Sequence, residues 1–267
     1  MSEDIWLGRV FGKDGYGGNH TAVVLQDHPS PAVAARTLGF PDSAFVTHRA
    51  EREASVRTFS PHEELAQCLQ AALATPVALG AQNGQTWRVR QPAGELLINA
   101  EREIHGWRCW AQEQHGGAHS PEPVDDLPTW FAALRPRFVA RMHQGRSRLY
   151  AALDRVDELV PPDPADLRKV CTAHRCSGVV FYDTAAPDRV RARVFPASLA
   201  YREDSATGGA AAGIAAILRQ QGRTGIVPVL QGPTEEARQG HLLMRIGDTV
   251  HVGGRVQPLL TGRTAFE

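Results

Sequence analysis

Two apolar runs rich in small residues are the longest helical patterns in the chain, and short alternating or continuous apolar runs typical of strands surround them. The first run predicts a helix from Leu65 to about Leu79, closed by Gly80. The second follows Asp204 and predicts a helix that ends near Gly222. Each run comes after a strand that ends in phenylalanine and a proline turn.

The elements before the two helices also match in order. An apolar strand at 43–47 and a second at 55–59 precede the first helix, and strands at 177–182 and 190–195 precede the second. We interpret this order as one architecture used twice. The alternative is a chance agreement among common sequence patterns.

The remaining patterns predict mostly strands and few helices. Strands are predicted at 4–11, 21–25, 87–90, 95–100, 241–246, 249–252 and 256–260, and short helices at 31–38, 129–134 and 164–173. Gly-Asp and Gly-Gly turns are expected between the last three strands, and the Gly- and Pro-rich segment 113–126 is expected to link two domains. This order predicts an α+β fold rather than a doubly wound α/β fold.

Composition excludes several classes of function. The 267 residues carry 29 basic and 29 acidic side chains, so charge does not favour binding to nucleic acid or to an anionic membrane. The sequence has no apolar run long enough for a signal peptide or a membrane helix. The four cysteines have no CxxC spacing, so neither a zinc site nor a redox dithiol is indicated, and we expect a cytoplasmic protein with reduced thiols.

The start of the second helix carries candidate chemistry. Asp204 and the small residues Thr207, Gly208 and Gly209 come directly before its apolar part. Small residues let backbone N–H groups approach a ligand closely, and a helix start leaves those groups without intrahelical partners. This pattern predicts a site for a carboxylate or another anion. A close-packed core helix with a flexible entry is the alternative.

Five motifs in order resemble the PhzF family of phenazine-biosynthesis isomerases. The family patterns are G-G-N-P-x-A-V, L-S-E-T-x-F-V, F-T-P-x-x-E-x-x-x-C-G-H-A, F-x-P…E-D-P-A-T-G-S-A and a closing G-G. This chain has G-G-N-H-T-A-V-V at 17–24, F-P-D-S-A-F-V at 40–46, F-S-P at 59–61 with C-L-Q-A at 68–71, F-P-A at 195–197 with E-D-S-A-T-G-G-A at 203–210, and G-G-R at 253–255. The resemblance covers nearly the whole chain.

The resemblance implies two similar domains of the diaminopimelate epimerase type, each a sheet or barrel wrapped around a central apolar helix. We expect an N-terminal domain at 1–117, completed by 256–267, and a C-terminal domain at 118–255. The active site would lie in the cleft between them, where the N-terminal ends of both helices would hold an anion without a cluster of arginines. The family further implies a homodimer, a small anionic substrate, no cofactor and no metal.

Asp42 matches the glutamate that transfers the proton in the family. A carboxyl group in an enclosed cleft can have its pKa raised towards neutrality, and it can then take a proton from one carbon and return it to another. Aspartate is one methylene shorter than glutamate, which implies either a reshaped site or lower activity. The alternative is that Asp42 only forms a turn or a cap after Pro41.

Other family positions differ here. Leu69-Gln70 replaces G-H, so the family's histidine is lost, and Gly209 replaces a serine. His20 stands where the family has proline and either lines the cleft or is exposed at a turn. Asp204 either binds a substrate amine or caps the helix. The resemblance assigns substrate binding to Asn19, His20, Cys68, Leu69, Gln70, Asp204, Thr207, Gly208 and Gly209.

Three functions follow from these residues. The first is an isomerase that moves a proton within a small unsaturated cyclic carboxylate in secondary metabolism, of the dihydro-hydroxyanthranilate or pyrroline-carboxylate type. The second is a non-catalytic relative that binds a small anion or a partner. The third, an amino-acid epimerase with two cysteines, is disfavoured because Cys68 would face Thr207, which cannot act as a thiolate base.

Overall fold

The computed structural model describes residues 2–113, 120–144, 146–186, 188–235 and 238–265. Within these residues the chain forms five α-helices: α1 (Pro31–Leu38), α2 (Leu69–Ala78), α3 (Thr129–Ala132), α4 (Pro164–Ala173) and α5 (Gly208–Gln220). Its strands are β1 (Ser2–Val10), β2 (Asn19–Val24), β3 (Asp42–Ala50), β4 (Glu53–Phe59), β5 (Glu64–Leu65), β6 (Gln85–Gln91), β7 (Gly94–Glu103), β8 (Gly106–Glu113), β9 (Glu122–Pro123), β10 (Phe138–Gln144), β11 (Arg146–Ala152), β12 (Gly178–Asp183), β13 (Val190–Pro196), β14 (Gly225–Gln231), β15 (Gly240–Ile246) and β16 (Val250–Ala265).

The first half is a ring of strands around α2. Its strands are hydrogen-bonded in the order β1-β2-β3-β4-β6-β7-β8-β16, and β16 also pairs with β1, which closes the ring. Every residue of α2 except Ala78 is buried. A helix that is apolar on all sides is stable only inside such an enclosure.

The second half wraps a sheet around α5. Its strand order is β16-β15-β14-β13-β12-β11-β10-β9, so β16 belongs to both halves. The stretch of α5 from Ala210 to Leu218 is buried. Gly213 lets this helix approach the sheet, because a Cβ atom there would lie 2.0 Å from the hydroxyl oxygen of Tyr150.

The two halves repeat the same strand pairings. In the first, β2 and β3 are parallel, β3 and β4 antiparallel, and β4 and β6 parallel, with α2 in the last connection. In the second, β11 and β12 are parallel, β12 and β13 antiparallel, and β13 and β14 parallel, with α5 in the last connection. The α+β class with two similar halves, each wrapped around one apolar helix, is confirmed.

Smaller helices cover the outside of the sheets. Phe45 and Phe59 pack against α1 in the first half. In the second half, Phe181 and Phe195 pack against residues of α3 and α4. None of the helices in the described ranges is both long and apolar enough to cross a bilayer.

Two predicted boundaries are wrong. The first central helix begins at Leu69 rather than Leu65, because Glu64–Leu65 pairs with β4 as a short strand. The Gly253-Gly254 pair is not a turn, because β16 runs straight through it while pairing with β15 and β8. A Cβ atom at Gly253 would meet the carbonyl oxygen of Cys109 at 2.5 Å, so these glycines allow close strand contact.

The predicted linker at 113–126 is corrected in part. Residues 114–119 lie outside the described residues, and Glu122–Pro123 forms an edge strand beside β10. The sequence patterns also missed β8, β10, β11 and β14. The domain boundaries near 117 and 255 remain predictions.

Candidate functional site

A cleft lies between the two halves, where the N-terminal ends of α2 and α5 meet. Its volume is about 60 Å³. It is lined by Asp42, Leu65, Gln67, Cys68, Leu69, Gln70, Arg146, Arg148, Ser177, Pro196, Ser198, Asp204, Ala206, Thr207, Gly208 and Gly209. Most of the residues predicted from the sequence are therefore brought together here.

The two helix starts are in direct contact. A Cβ atom at Gly208 would lie 2.7 Å from the Cβ atom of Leu69, so only glycine permits this approach. Cys68 and Thr207 are the N-cap residues of α2 and α5. Because the first N–H groups of a helix have no intrahelical acceptors, the cleft wall is electropositive on both sides.

Two glutamines fix these helix starts in the same way. Gln91, at the end of β6, accepts a hydrogen bond from the Cys68 N–H at 2.7 Å and donates to the Cys68 carbonyl at 2.9 Å. Gln231, at the end of β14, accepts from the Thr207 N–H at 3.0 Å and donates to the Thr207 hydroxyl at 2.9 Å. Both amides are buried, and each ties a helix start to the strand that follows the helix.

Asp42 is the first residue of β3 and faces the cleft, where it is half-buried. Burial raises the pKa of Asp42 to about 7, and repulsion from Asp204 adds to the shift. A hydrogen bond from the Cys68 thiol and the charge of Arg146 act in the opposite direction. Asp42 is not the N-cap of any α-helix in the described residues, and its pKa lets it both accept and donate a proton near neutral pH.

Asp204 enters the cleft from the second half and is held by hydrogen bonds. Its carboxylate accepts from the Asn19 amide at 2.8 Å, from the Ala206 N–H at 3.3 Å and from the Thr207 hydroxyl. Burial raises its pKa, whereas these hydrogen bonds and Arg148 oppose the shift. Asp204 is not the N-cap of α5, because that position belongs to Thr207.

Asn19 and Gln70 connect the first half to Asp204. The Asn19 amide donates to the Gln70 side chain at 3.2 Å and to the Ala206 carbonyl at 3.0 Å. Gln70 in turn donates to the Thr21 hydroxyl at 2.7 Å. Asn19 is buried behind the lining residues, so it orients Asp204 from behind the cleft wall.

Cys68 is a poor candidate for a thiolate base. Burial, and next the negative charge of Asp42, raise the pKa of its thiol well above the usual range. Its sulfur accepts a hydrogen bond from the Ala71 N–H at 3.4 Å. The thiol therefore caps α2 and, through its hydrogen bond to Asp42, favours the ionised form of that carboxyl group.

Two arginines on β11 were missed by the sequence analysis. Arg146 and Arg148 lie two residues apart and so point to the same face of the strand, towards α5. Arg148 is buried, and a Cβ atom at Gly209 would lie 3.0 Å from its guanidinium nitrogens. Arg146 donates to Glu63 of the first half at 2.8 Å. The expectation of an anion site without arginines is therefore corrected. The alternating pattern Arg-Ser-Arg-Leu-Tyr at 146–150 was the sequence signal that could have predicted a strand with both arginines on one face.

His20 does not line the cleft. Its side chain is exposed and lies beside Phe40, with 6.4 Å between the ring centroids, and the residue belongs to β2 rather than to a turn. Its backbone carbonyl accepts a 3.5 Å hydrogen bond from Gln70. His20 therefore does not replace the missing histidine in this geometry.

The arrangement combines one carboxyl group whose pKa lies near neutrality with positive groups. Asp42 has a pKa suited to proton exchange, and helix starts and arginines are groups that can attract a carboxylate. Within the ranges that the structure describes, no group of three or more His, Cys, Asp or Glu side chains is arranged to hold a metal ion.

Comparisons with known proteins agree with this architecture. Residues 9–266 match the PhzC-PhzF family, described as phenazine biosynthesis-like protein. The chain is 26% identical over 237 residues to trans-2,3-dihydro-3-hydroxyanthranilate isomerase of Pseudomonas fluorescens, with 80% of each chain covered.

Two solved structures share the fold. A predicted epimerase from Pseudomonas aeruginosa superposes with a TM-score of 0.81 at 23% identity, covering 99% of this chain and 100% of the other. A PhzF-family phenazine biosynthesis protein from Enterococcus faecalis gives a TM-score of 0.77 at 20% identity, with both chains covered completely. Since the family match extends over nearly the whole chain, the protein belongs to the PhzC-PhzF family of phenazine biosynthesis-like proteins.

Proposed function

We propose that the protein is a cofactor-independent isomerase that moves a proton within a small, unsaturated cyclic carboxylate. The observation that carries the proposal is the position and pKa of the Asp42 carboxyl group. This group lies in a cleft bounded by two helix starts and two arginines, and its pKa is about 7. A shuttle must hold a proton and release it at the same pH, and this pKa meets that requirement.

In the proposed reaction, ionised Asp42 takes a proton from a ring carbon conjugated with the substrate carboxylate. The electron pair left on carbon spreads into the unsaturated system and onto the carboxylate oxygens. Arg148 and the N–H groups of the α5 start stabilise that charge. Asp42 then returns the same proton to another carbon, which completes the isomerisation with no external acid.

The cleft is consistent with a small substrate. At about 10–15 Å³ for each water, a volume of about 60 Å³ holds on the order of four to six waters. A cleft of this size restricts the substrate to a small molecule. We infer that the short side chain of Asp42, relative to the family's glutamate, suits a ring seated deeper between the helix starts.

A non-catalytic anion-binding protein is the second candidate. The feature that favours it is Gln70, which stands where the family has histidine and is tied to Asn19 and Thr21. An amide cannot titrate, so any reaction here depends on carboxyl groups alone. A two-cysteine racemase is not proposed, because Thr207 supplies no second thiol.

Three further properties belong to the proposal as expectations from the family: action in secondary metabolism such as antibiotic biosynthesis, assembly as a homodimer and a cytoplasmic location. The proposed reaction in the cleft does not depend on any of these three properties. Each of them can be tested without measuring turnover.

The experiment is proton NMR of candidate substrates incubated with the protein in D₂O. The panel contains trans-2,3-dihydro-3-hydroxyanthranilate, a pyrroline carboxylate and proline. The isomerase proposal predicts that a ring carboxylate is converted to an isomer or exchanges ring protons for deuterium. Saturable binding without exchange across the panel would favour the non-catalytic candidate, and exchange only at the α-carbon of proline would favour a racemase.

A further inference from the structure

Two cysteines meet at the C-terminal end of α4, away from the cleft. The Cys176 N–H donates to the Cys171 carbonyl at 2.9 Å, and the Arg175 N–H donates to the Thr172 carbonyl at 3.3 Å. Arg175 has a φ of 50°, in the left-handed region. These are the two hydrogen bonds and the left-handed residue of a Schellman helix end, a motif that brings the side chains of its first and last residues together.

The two thiols are in contact at this helix end. Each thiol shifts the pKa of the other through a side-chain interaction, and Tyr201 is a further side-chain partner of Cys171. Cys171 is buried against the outer apolar layer of the second half, whereas Cys176 is partly accessible. One thiol is therefore open to a small reagent and the other is held directly behind it.

Neighbouring groups make Cys176 the more reactive thiol. The interaction with Cys171 lowers the pKa of Cys176, and the Gly178 and Leu149 backbone groups and the charge of Arg141 act in the same direction, whereas burial opposes the shift. The same contact with Cys176, followed by burial, raises the pKa of Cys171. The thiolate is the nucleophilic form of cysteine, so attack starts at Cys176.

We propose that Cys171 and Cys176 are a peroxide-reactive dithiol that closes to a disulfide at the end of α4. The Cys176 thiolate attacks one oxygen of hydrogen peroxide or an alkyl hydroperoxide, and the O–O bond breaks. Cys176 becomes a sulfenic acid, and the other oxygen leaves with a proton as water or alcohol. The sulfur of Cys171 then attacks the sulfur of Cys176, its proton leaves with the displaced hydroxyl as water, and the two thiols have supplied two electrons.

Spacing alone did not reveal this pair. Four residues separate the cysteines, so they match no CxxC pattern, and the sequence analysis indicated no redox dithiol. The helix end brings them together instead. Backbone geometry also favours closure, because the 2.9 Å hydrogen bond between the two residues holds their Cα atoms at a separation that a disulfide can span.

The test is tryptic peptide mapping of the full chain after exposure to hydrogen peroxide. Trypsin cleaves after Arg175, so the disulfide would join peptides 170–175 and 176–189 through a bond that reductant breaks. We expect this linked pair to form at least about tenfold faster than oxidation of Cys68 or Cys109. Persistent sulfenic acid on Cys176 of the parent, or faster oxidation of Cys68 or Cys109, would overturn the proposal.

Variants separate the two roles. Cys171→Ser should leave a sulfenic acid on Cys176 that dimedone traps, whereas Cys176→Ser should remove the reaction with peroxide. Cys109→Ala is the matched control and should form the linked peptides at the parent rate. If Cys176→Ser reacts as fast as the parent, Cys176 is not the attacking thiol and the proposal fails.

Discussion

At the scale of single residues, the cleft contains one carboxyl group from each half, and their surroundings differ. Asp204 accepts hydrogen bonds from Asn19, Ala206 and Thr207, so its orientation is fixed. Asp42 receives a hydrogen bond from the Cys68 thiol and faces the open cleft. We therefore propose that Asp42 transfers the proton and that Asp204 positions the substrate.

The raised pKa of Asp42 predicts a pH-dependent stability. The folded protein binds the Asp42 proton more tightly than the unfolded chain does, so the free energy of unfolding falls as pH rises from about 4 to about 7. Asp42→Asn removes the titrating group, so the free energy of unfolding of the variant should not show this fall. The variant should gain on the order of 2 to 4 kcal/mol over the parent between pH 4 and pH 8 in urea unfolding.

Asp126→Asn is the matched control for that experiment, since Asp126 is an exposed carboxyl group that does not belong to the lining of the cleft. Its stability difference from the parent should stay constant with pH. A constant difference for Asp42→Asn as well would mean that the Asp42 carboxyl group is not desolvated.

Gly209 tests the positive wall of the cleft. In Gly209→Asp, the new carboxylate would stand beside the Arg148 guanidinium at the start of α5 and compete with the substrate carboxylate. We expect KM to rise about tenfold or more, with kcat changed less. Gly209→Ala is the control, because its methyl group carries no charge and requires the Arg148 guanidinium to shift by only a few tenths of an ångström. Equal KM values for the Asp and Ala variants would place the anion elsewhere.

The sequence predicted most of the cleft, but not its arginines or its supporting amides. Asp42, Cys68 and Asp204 stand in short motifs that can be recognised in a single sequence. Arg148 and Gln231 stand in strands that the patterns missed, and their roles depend on which face of each strand meets a helix start. Such pairing over long sequence separations is set by the folded sheet and leaves no local pattern.

At the scale of elements, each central helix is fixed at its start by a glutamine from the next strand. This contact explains the error at the first helix, where the apolar pattern extends back to Leu65. Gln91 forms hydrogen bonds with both the N–H and the carbonyl of Cys68, so the helix begins at Leu69 and does not extend back to Leu65. The helix interiors were predictable because burial on every side leaves a continuous apolar run.

Gly213 in α5 provides a prediction at this scale. A methyl group in Gly213→Ala would lie 2.0 Å from the Tyr150 hydroxyl oxygen, so the helix and β11 must separate. We expect a loss of about 1–3 kcal/mol in the free energy of unfolding, although alanine favours helices. Gly247→Ala, whose methyl group has open space around it, should change stability little in the same chemical denaturation. Equal effects at both sites would contradict tight packing at Gly213.

At the scale of the whole molecule, β16 joins the two halves and the cleft forms where they face each other. Val252 and Val256 of β16 pair with β8, and the strand continues beside β1, so one chain segment braces both sheets. The ion pair between Glu63 and Arg146 adds a second link across the cleft. The repeat was visible in the sequence, and the family resemblance placed 256–267 with the first half. That one continuous strand, β16, serves both halves was not predicted, because its two glycines resemble a turn.

Assembly is a separate prediction. Sheet-rich chains with exposed edges can pair through them, and β16 carries the exposed residues Leu259 and Leu260. We expect light scattering at micromolar concentration to give twice the mass of the 29.1 kDa chain. The mass of a single chain under those conditions would contradict the dimer.

Turnover of the ring carboxylate by Asp42→Asn tests the central claim most directly. The parent and the variant are incubated in D₂O with the ring carboxylate that the parent converts, and turnover and affinity are measured on the same samples. The variant keeps the size of the side chain but cannot carry the proton, so turnover should fall at least about 100-fold. Affinity should change far less, because the helix starts and Arg148 still bind the carboxylate. Full activity of Asp42→Asn would contradict the assignment of Asp42 as the proton shuttle.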